Sequence, residues 1–100
     1  MSERPDPLQV LAVCGLGMGS SLILRMTTDT VLARMGISAS VENTDLSAAR
    51  STEAHVIIGQ GMHISELEGA APVIVTVDDF VDEAALEARL RPALEEAGWL

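Results

Sequence analysis

Leu8–Val13 is an almost continuous apolar run, and it stops at Cys14-Gly15-Leu16-Gly17-Met18-Gly19-Ser20-Ser21, beyond which a helical pattern takes over. A strand that is apolar toward both faces must be covered on both faces, the condition of a central strand in a parallel sheet. A strand entering a tight glycine turn and then a helix opens a β-α-β unit, whose crossover is right-handed. This junction restricts the fold class more than any other stretch of the chain.

The remaining segments are consistent with it. Over residues 19–35, Leu24, Thr28, Val31, Leu32 and Met35 recur on one helical face. Ser20 or Ser21 is placed to cap that helix, and Gly36 to end it. Residues 37–43 alternate apolar and polar, as in a half-exposed edge strand. Residues 45–50 suit one or two helical turns, too short and polar to cover a sheet. Residues 56–59 read as a buried strand followed by a loop at 60–63, residues 64–69 as a short helix, and residues 72–77 as a fourth strand. Pro72 stands first in that strand, where a missing donor is tolerated. Leu86, Leu90, Leu94 and Ala97 form the stripe of a last helix, capped by Asp78, Asp79 or Asp82 and closed by Gly98. Pro92 inside it is expected to remove the bond to the Ala88 carbonyl and kink the helix.

This order implies a small three-layer α/β domain with a four-stranded parallel sheet, strand order 2-1-3-4, and flanking helices. Ligands of such sheets bind beyond the carboxyl ends of the strands, where the connections reverse direction. The loops at Cys14 and at 59–63 are therefore expected to be neighbours.

With 100 residues the chain holds one domain, expected over 8–100 behind a disordered tail at 1–7. A net charge of −9 and only two aromatic residues, Phe80 and Trp99, argue against nucleic acid as a partner. The tail has no apolar run resembling a signal peptide, and no stretch approaches membrane-spanning length, so a cytoplasmic protein without direct membrane insertion is expected. The single cysteine cannot form an internal disulfide.

The glycine loop suggests phosphate chemistry. Phosphate needs several donors converging on a small volume, and backbone N–H groups in a tight turn and at a helix start provide them. The same field favours a thiolate at Cys14 and makes it nucleophilic. A Walker A loop requires a lysine before the serine, and here that residue is Gly19. A dinucleotide fingerprint requires a third glycine where Ser20 stands. A cysteine phosphatase uses C-x5-R, and the arginine position is again Ser20. Without that arginine, rapid hydrolysis is not expected, whereas a phosphocysteine passed to a partner is.

The loop from Cys14 through Ser21, followed by Leu22-Ile23-Leu24-Arg25-Met26, resembles the cysteine loop of enzyme IIB components of the bacterial phosphoenolpyruvate-dependent sugar phosphotransferase system. The resemblance is greatest to the ascorbate branch of the lactose/cellobiose, galactitol and ascorbate group. It implies a four-stranded parallel sheet akin to that of low-molecular-weight cysteine phosphatases. It also implies a relay: a IIA phosphohistidine phosphorylates Cys14, and the group passes to a carbohydrate, ascorbate or a relative, held by a membrane IIC partner during uptake. Cys14 is then the acceptor, and Gly15, Leu16, Gly17, Met18, Gly19, Ser20 and Ser21 form the phosphate-binding loop. No metal or cofactor is implied. A small cysteine-dependent phosphatase or arsenate-reductase-like enzyme, and a redox-sensing domain, stand as alternative readings of the same thiol.

The remaining candidates are less specific. His63 falls beside the cysteine, where it donates to a phosphoryl group, meets a partner, or is a solvated loop side chain. His55 falls at the opposite end of its strand. Arg25 suits a solvated helix face or steering of an anionic site. Met18, Met26, Met35 and Met62 suit core filling, with Met18 and Met62 also suited to an adaptable docking surface.

Overall fold

Strand β1 (Leu8–Val13) is the axis of a four-stranded, all-parallel sheet. The computed structural model describes residues 5–13, 18–60, 67 and 69–100. In chain order these form β1, α1 (Met18–Arg34), β2 (Ala39–Thr44), α2 (Leu46–Ser51), β3 (Val56–Gly59), β4 (Val73–Thr76) and α3 (Glu83–Glu96). The strand order is β2-β1-β3-β4, as the sequence predicts.

Side chains alternate across the sheet, as the pleat requires. Leu8, Val10, Ala12, Val56 and Ile58 join Leu24, Val31 and Leu32 of α1 and Leu86, Leu90 and Leu94 of α3 in the larger core. Leu11, Val13 and Ile57 face the other way, against Ala49 of α2 and Leu67. Ala49 is buried in its short helix, so α2 covers only part of its face. Where that cover ends, Gln9 is the one exposed residue of β1. Its N–H donates to His55 Nδ1 at 2.8 Å, and the His55 N–H donates to the Gln9 carbonyl at 2.9 Å. His55 is thus a latch at the amino edge of the sheet, and it packs edge-on against Trp99.

The helix ends follow local chemistry. Asp45 Oδ1 accepts from the Ala48 N–H at the start of α2, and Asp82 Oδ1 accepts from the Ala85 N–H at the start of α3. At Gly36 (φ 76°) and Gly98 (φ 82°) the backbone is left-handed. Each ends its helix in a Schellman turn, closed by Ile37 N–H to the Leu32 carbonyl and Trp99 N–H to the Leu94 carbonyl, both at 2.9 Å.

Several expectations change. Strand β2 begins at Ala39, because Ile37 is drawn into the Schellman turn, where it is buried without joining the ladder. Pro72 precedes β4 and does not open it. Helix α3 continues through Pro92, which has no N–H to give the Ala88 carbonyl, as expected. Ala88 and Pro92 both face solvent, so water can satisfy the carbonyl released there. Met26 is 62% exposed and is not core, since it projects opposite the face carrying Leu24, Thr28 and Val31. Most of the helix expected at 64–69 lies outside the described residues; Leu67 is buried, and its carbonyl accepts from the Ala70 N–H.

Leu90 is fully buried between α3 and the sheet, whereas Val81 is 66% exposed. Leu90→Ala is expected to lower the free energy of unfolding by about 2–5 kcal/mol. Val81→Ala should change it by less than about 0.5 kcal/mol. Urea denaturation followed by circular dichroism measures both.

Candidate functional site

The register of the sheet brings all four strands to an end on one line. Val13 pairs with Thr44 on one side and Gly59 on the other, and Gly59 pairs with Thr76. The chain leaves this carboxyl edge at positions 14, 45, 60 and 77. Adjacent strands lie roughly 4.8 Å apart, so the segments after Val13 and Gly59 start side by side. Helices α1 and α2 follow β1 and β2 on opposite faces, so the winding reverses between β1 and β3. That is the switch point where a doubly wound sheet leaves a crevice.

Cys14, Gly15, Leu16, Gly17 and His63 lie outside the described residues, as does Met62. Met18, Gly19, Ser20 and Ser21 form the first turn of α1. The helix therefore begins ahead of both serines, so neither is its cap. In the first turn the N–H groups of Met18, Gly19 and Ser20 have no helical carbonyl four residues back to bind. They open onto the carboxyl edge, with the positive end of the helix dipole behind them.

The electrostatics of the three described helices differ. Asp45 caps α2, and Asp82 caps α3, with Glu83 in its first turn. The first turn of α1 contains no acidic residue. Asp45 follows Thr44, the partner of Val13, and its carboxylate is engaged by the amino end of α2. The amino end of α1 thus carries no built-in carboxylate.

Two contacts on α1 were not visible in the sequence. Arg25 Nε donates to the Val41 carbonyl at 3.0 Å, tying α1 to edge strand β2, so Arg25 is neither a freely solvated side chain nor wholly given to steering. The Thr27 hydroxyl donates to the Phe80 carbonyl at 2.6 Å, with the Ile23 carbonyl as a second acceptor at 3.1 Å. This bond holds the loop before α3 against the amino half of α1.

A groove of about 690 Å³ lies elsewhere, between α1 and α3, lined by Arg34, Glu83, Glu87, Arg91 and Pro92. Its charges satisfy one another: Arg34 reaches Glu83 and Glu87 at 3.0 Å, and Arg91 reaches Glu87 at 3.0 Å. Hydrogen bonds from Arg91 and Arg34 hold the Glu87 carboxyl below its ordinary value. Its contribution to stability is present at neutral pH and is lost as the pH falls through that lowered value. This groove is a surface ion-pair cluster, remote from the carboxyl edge.

Comparison with known proteins agrees with this layout. The family model "PTS system, Lactose/Cellobiose specific IIB subunit" matches residues 9–91. The chain is 29% identical over 90 residues to the ascorbate-specific PTS system EIIB component of Mycoplasma pneumoniae, covering 87% of this chain and 95% of that protein. Its fold is similar to that of the lactose-specific IIB component domain of the phosphoenolpyruvate:carbohydrate phosphotransferase system from Streptococcus pneumoniae. The TM-score is 0.58 at 18% identity, over 90% of this chain and 93% of that one.

Thr27→Val removes the hydroxyl while keeping the shape. It should cost about 1 kcal/mol of stability. Amide hydrogen exchange should quicken at residues 78–82 while remaining slow at Leu90.

Proposed function

The chain belongs to the lactose/cellobiose-type IIB family of the sugar phosphotransferase system, and from that premise we propose that it carries a phosphoryl group on Cys14 between a IIA phosphohistidine and a carbohydrate held by a membrane IIC subunit. The observation that carries this reading is the amino end of α1. It starts at the switch point of the sheet, has no acidic residue in its first turn, and follows a cysteine four positions ahead of Met18 in the sequence.

The chemistry balances without a metal. The Cys14 thiolate attacks the phosphorus of the donor phosphohistidine; the P–N bond breaks, the S–P bond forms, and the imidazole nitrogen regains its lone pair and takes up a proton. In the second step a sugar hydroxyl attacks the same phosphorus. The S–P bond breaks, the O–P bond forms, the hydroxyl proton is released, and the thiolate is regenerated. The transferring group keeps its charge throughout, so the protein must position it and balance that charge. The amides of Gly15, Leu16, Gly17, Met18, Gly19, Ser20 and Ser21 supply that balance, with the helix dipole of α1 behind them. His63 is a further donor toward the phosphoryl group from the loop after β3.

Ascorbate or a related carbohydrate is the substrate we propose. What supports this is the Mycoplasma relative named for ascorbate, whose match covers 87% of this chain, and the resemblance of the cysteine loop to that branch.

Incubation with phosphoenolpyruvate, the general phosphotransferase proteins and a matching IIA should place one phosphate on Cys14, located by peptide mass spectrometry and absent from Cys14→Ser. Equal labelling of Cys14→Ser, or none of the wild type, would reject the relay. Ser20→Asp puts a carboxylate into the first turn of α1. It should stabilise the unphosphorylated fold by roughly 0.3–1 kcal/mol through the dipole. The same charge should slow labelling roughly tenfold, a like-charge cost on the order of 1.4 kcal/mol.

A further inference from the structure

Leu22, Ile23 and Met26, on the amino half of α1, are 42%, 46% and 62% exposed, and Val81 is 66% exposed. Leu22 and Met26 lie four residues apart on the outward face of the helix. The bond from Thr27 to the Phe80 carbonyl brings Val81 to the flank of the same helix turn. Single exposed apolar residues need no explanation, but a contiguous group beside a functional edge marks an interaction surface. These four contribute nothing to the core, while the interior face of the same helix is almost completely buried.

The rim of this patch is acidic. Asp29 follows Met26 by three positions on α1, and Asp78, Asp79 and Asp82 bracket Phe80 and Val81. Asp78 has Arg89 at 3.6 Å. Asp79 accepts from the Val81 N–H at 3.0 Å and Asp82 caps α3, so both carboxylates have backbone partners, while Arg25, four residues before Asp29, is turned aside to Val41. The complementary surface has an apolar centre and a Lys/Arg rim. Membrane proteins have such rims on their cytoplasmic loops, where positive residues accumulate. An acidic rim equally disfavours the anionic lipid around those loops.

We propose that the patch of Leu22, Ile23, Met26 and Val81, with its aspartate rim, docks this protein onto the basic cytoplasmic face of its membrane-spanning partner. The inference rests on the phosphocarrier reading. Both partners must reach one sulfur and therefore share the cysteine loop; the patch beside it belongs to the membrane partner alone. It seats the phosphorylated protein with the carboxyl edge of the sheet toward the membrane subunit.

The test uses the full chain in two separate arms. In the first, Cys14 is labelled from a IIA donor in solution. In the second, without donor, the protein is co-sedimented with vesicles containing the membrane subunit and with protein-free anionic vesicles. Met26→Ser/Val81→Ser should label at the wild-type rate and bind subunit-containing vesicles about tenfold more weakly. Asp29→Lys should weaken that binding similarly, and raised salt should weaken binding of the wild type. Unchanged binding of the double variant, slower labelling of it, or wild-type binding to the protein-free vesicles would each overturn the proposal, the last two by assigning the patch to the donor or to lipid. Failure of the wild type to label would reject the phosphocarrier reading instead, and is told apart because the sedimentation arm needs no phosphate.

Discussion

Val13 hydrogen-bonds in register with strands on both sides, and this parallel pairing determines where everything else can sit. Because Thr44, Val13, Gly59 and Thr76 share one line, every strand hands its chain to the same edge. Because β1 is central, Val13 is flanked on both sides. The apolar content of β1 is needed to keep it there, with α1 and α3 on one face and α2 on the other. A polar residue at Val10 or Leu11 would be buried without a partner, and the edge would lose its geometry before any residue of the site was touched.

On the proposed reading, that edge is where a protein of net charge −9 handles an anion. Global charge acts over distances that salt screens within roughly 8–10 Å. At contact distance the proposed cradle relies instead on the amides of the first turn of α1. The acidic residues are positioned accordingly. Asp45 and Asp82 spend their carboxylates on the amino ends of α2 and α3, and Glu83 and Glu87 are held by Arg34 and Arg91. None stands in the first turn of α1.

Much of this was legible in the sequence where a local rule operates. The unbroken apolar run at β1, the helical stripe from Leu24 to Met35, the glycines closing α1 and α3, and an aspartate cap for α3 among Asp78, Asp79 and Asp82 each follow from neighbours a few residues apart. The sheet order and the closeness of the Val13 and Gly59 ends followed from topology. The misreadings arose where packing intervened. Ile37 was apolar and in step with a strand, yet the turn at Gly36 claims it. Met26 has core chemistry but lies on the outer face of its helix. Ser20 and Ser21 have capping chemistry, yet the helix starts before them. The bonds from Arg25 to Val41 and from Thr27 to Phe80, the second spanning 53 residues of sequence, exist only once the helix is docked.

The central claim is that the carboxyl edge holds a phosphoryl group on Cys14 for transfer and does not hydrolyse it. Ser20 occupies the position where a cysteine phosphatase has its arginine, so no cation there stabilises attack by water. The lifetime of the phosphorylated protein, freed of donor and followed by ³¹P magnetic resonance, tests this most directly. The account predicts a phosphocysteine signal that persists without acceptor and disappears when the membrane subunit and its sugar are added. Prompt release of inorganic phosphate from the isolated protein would contradict it.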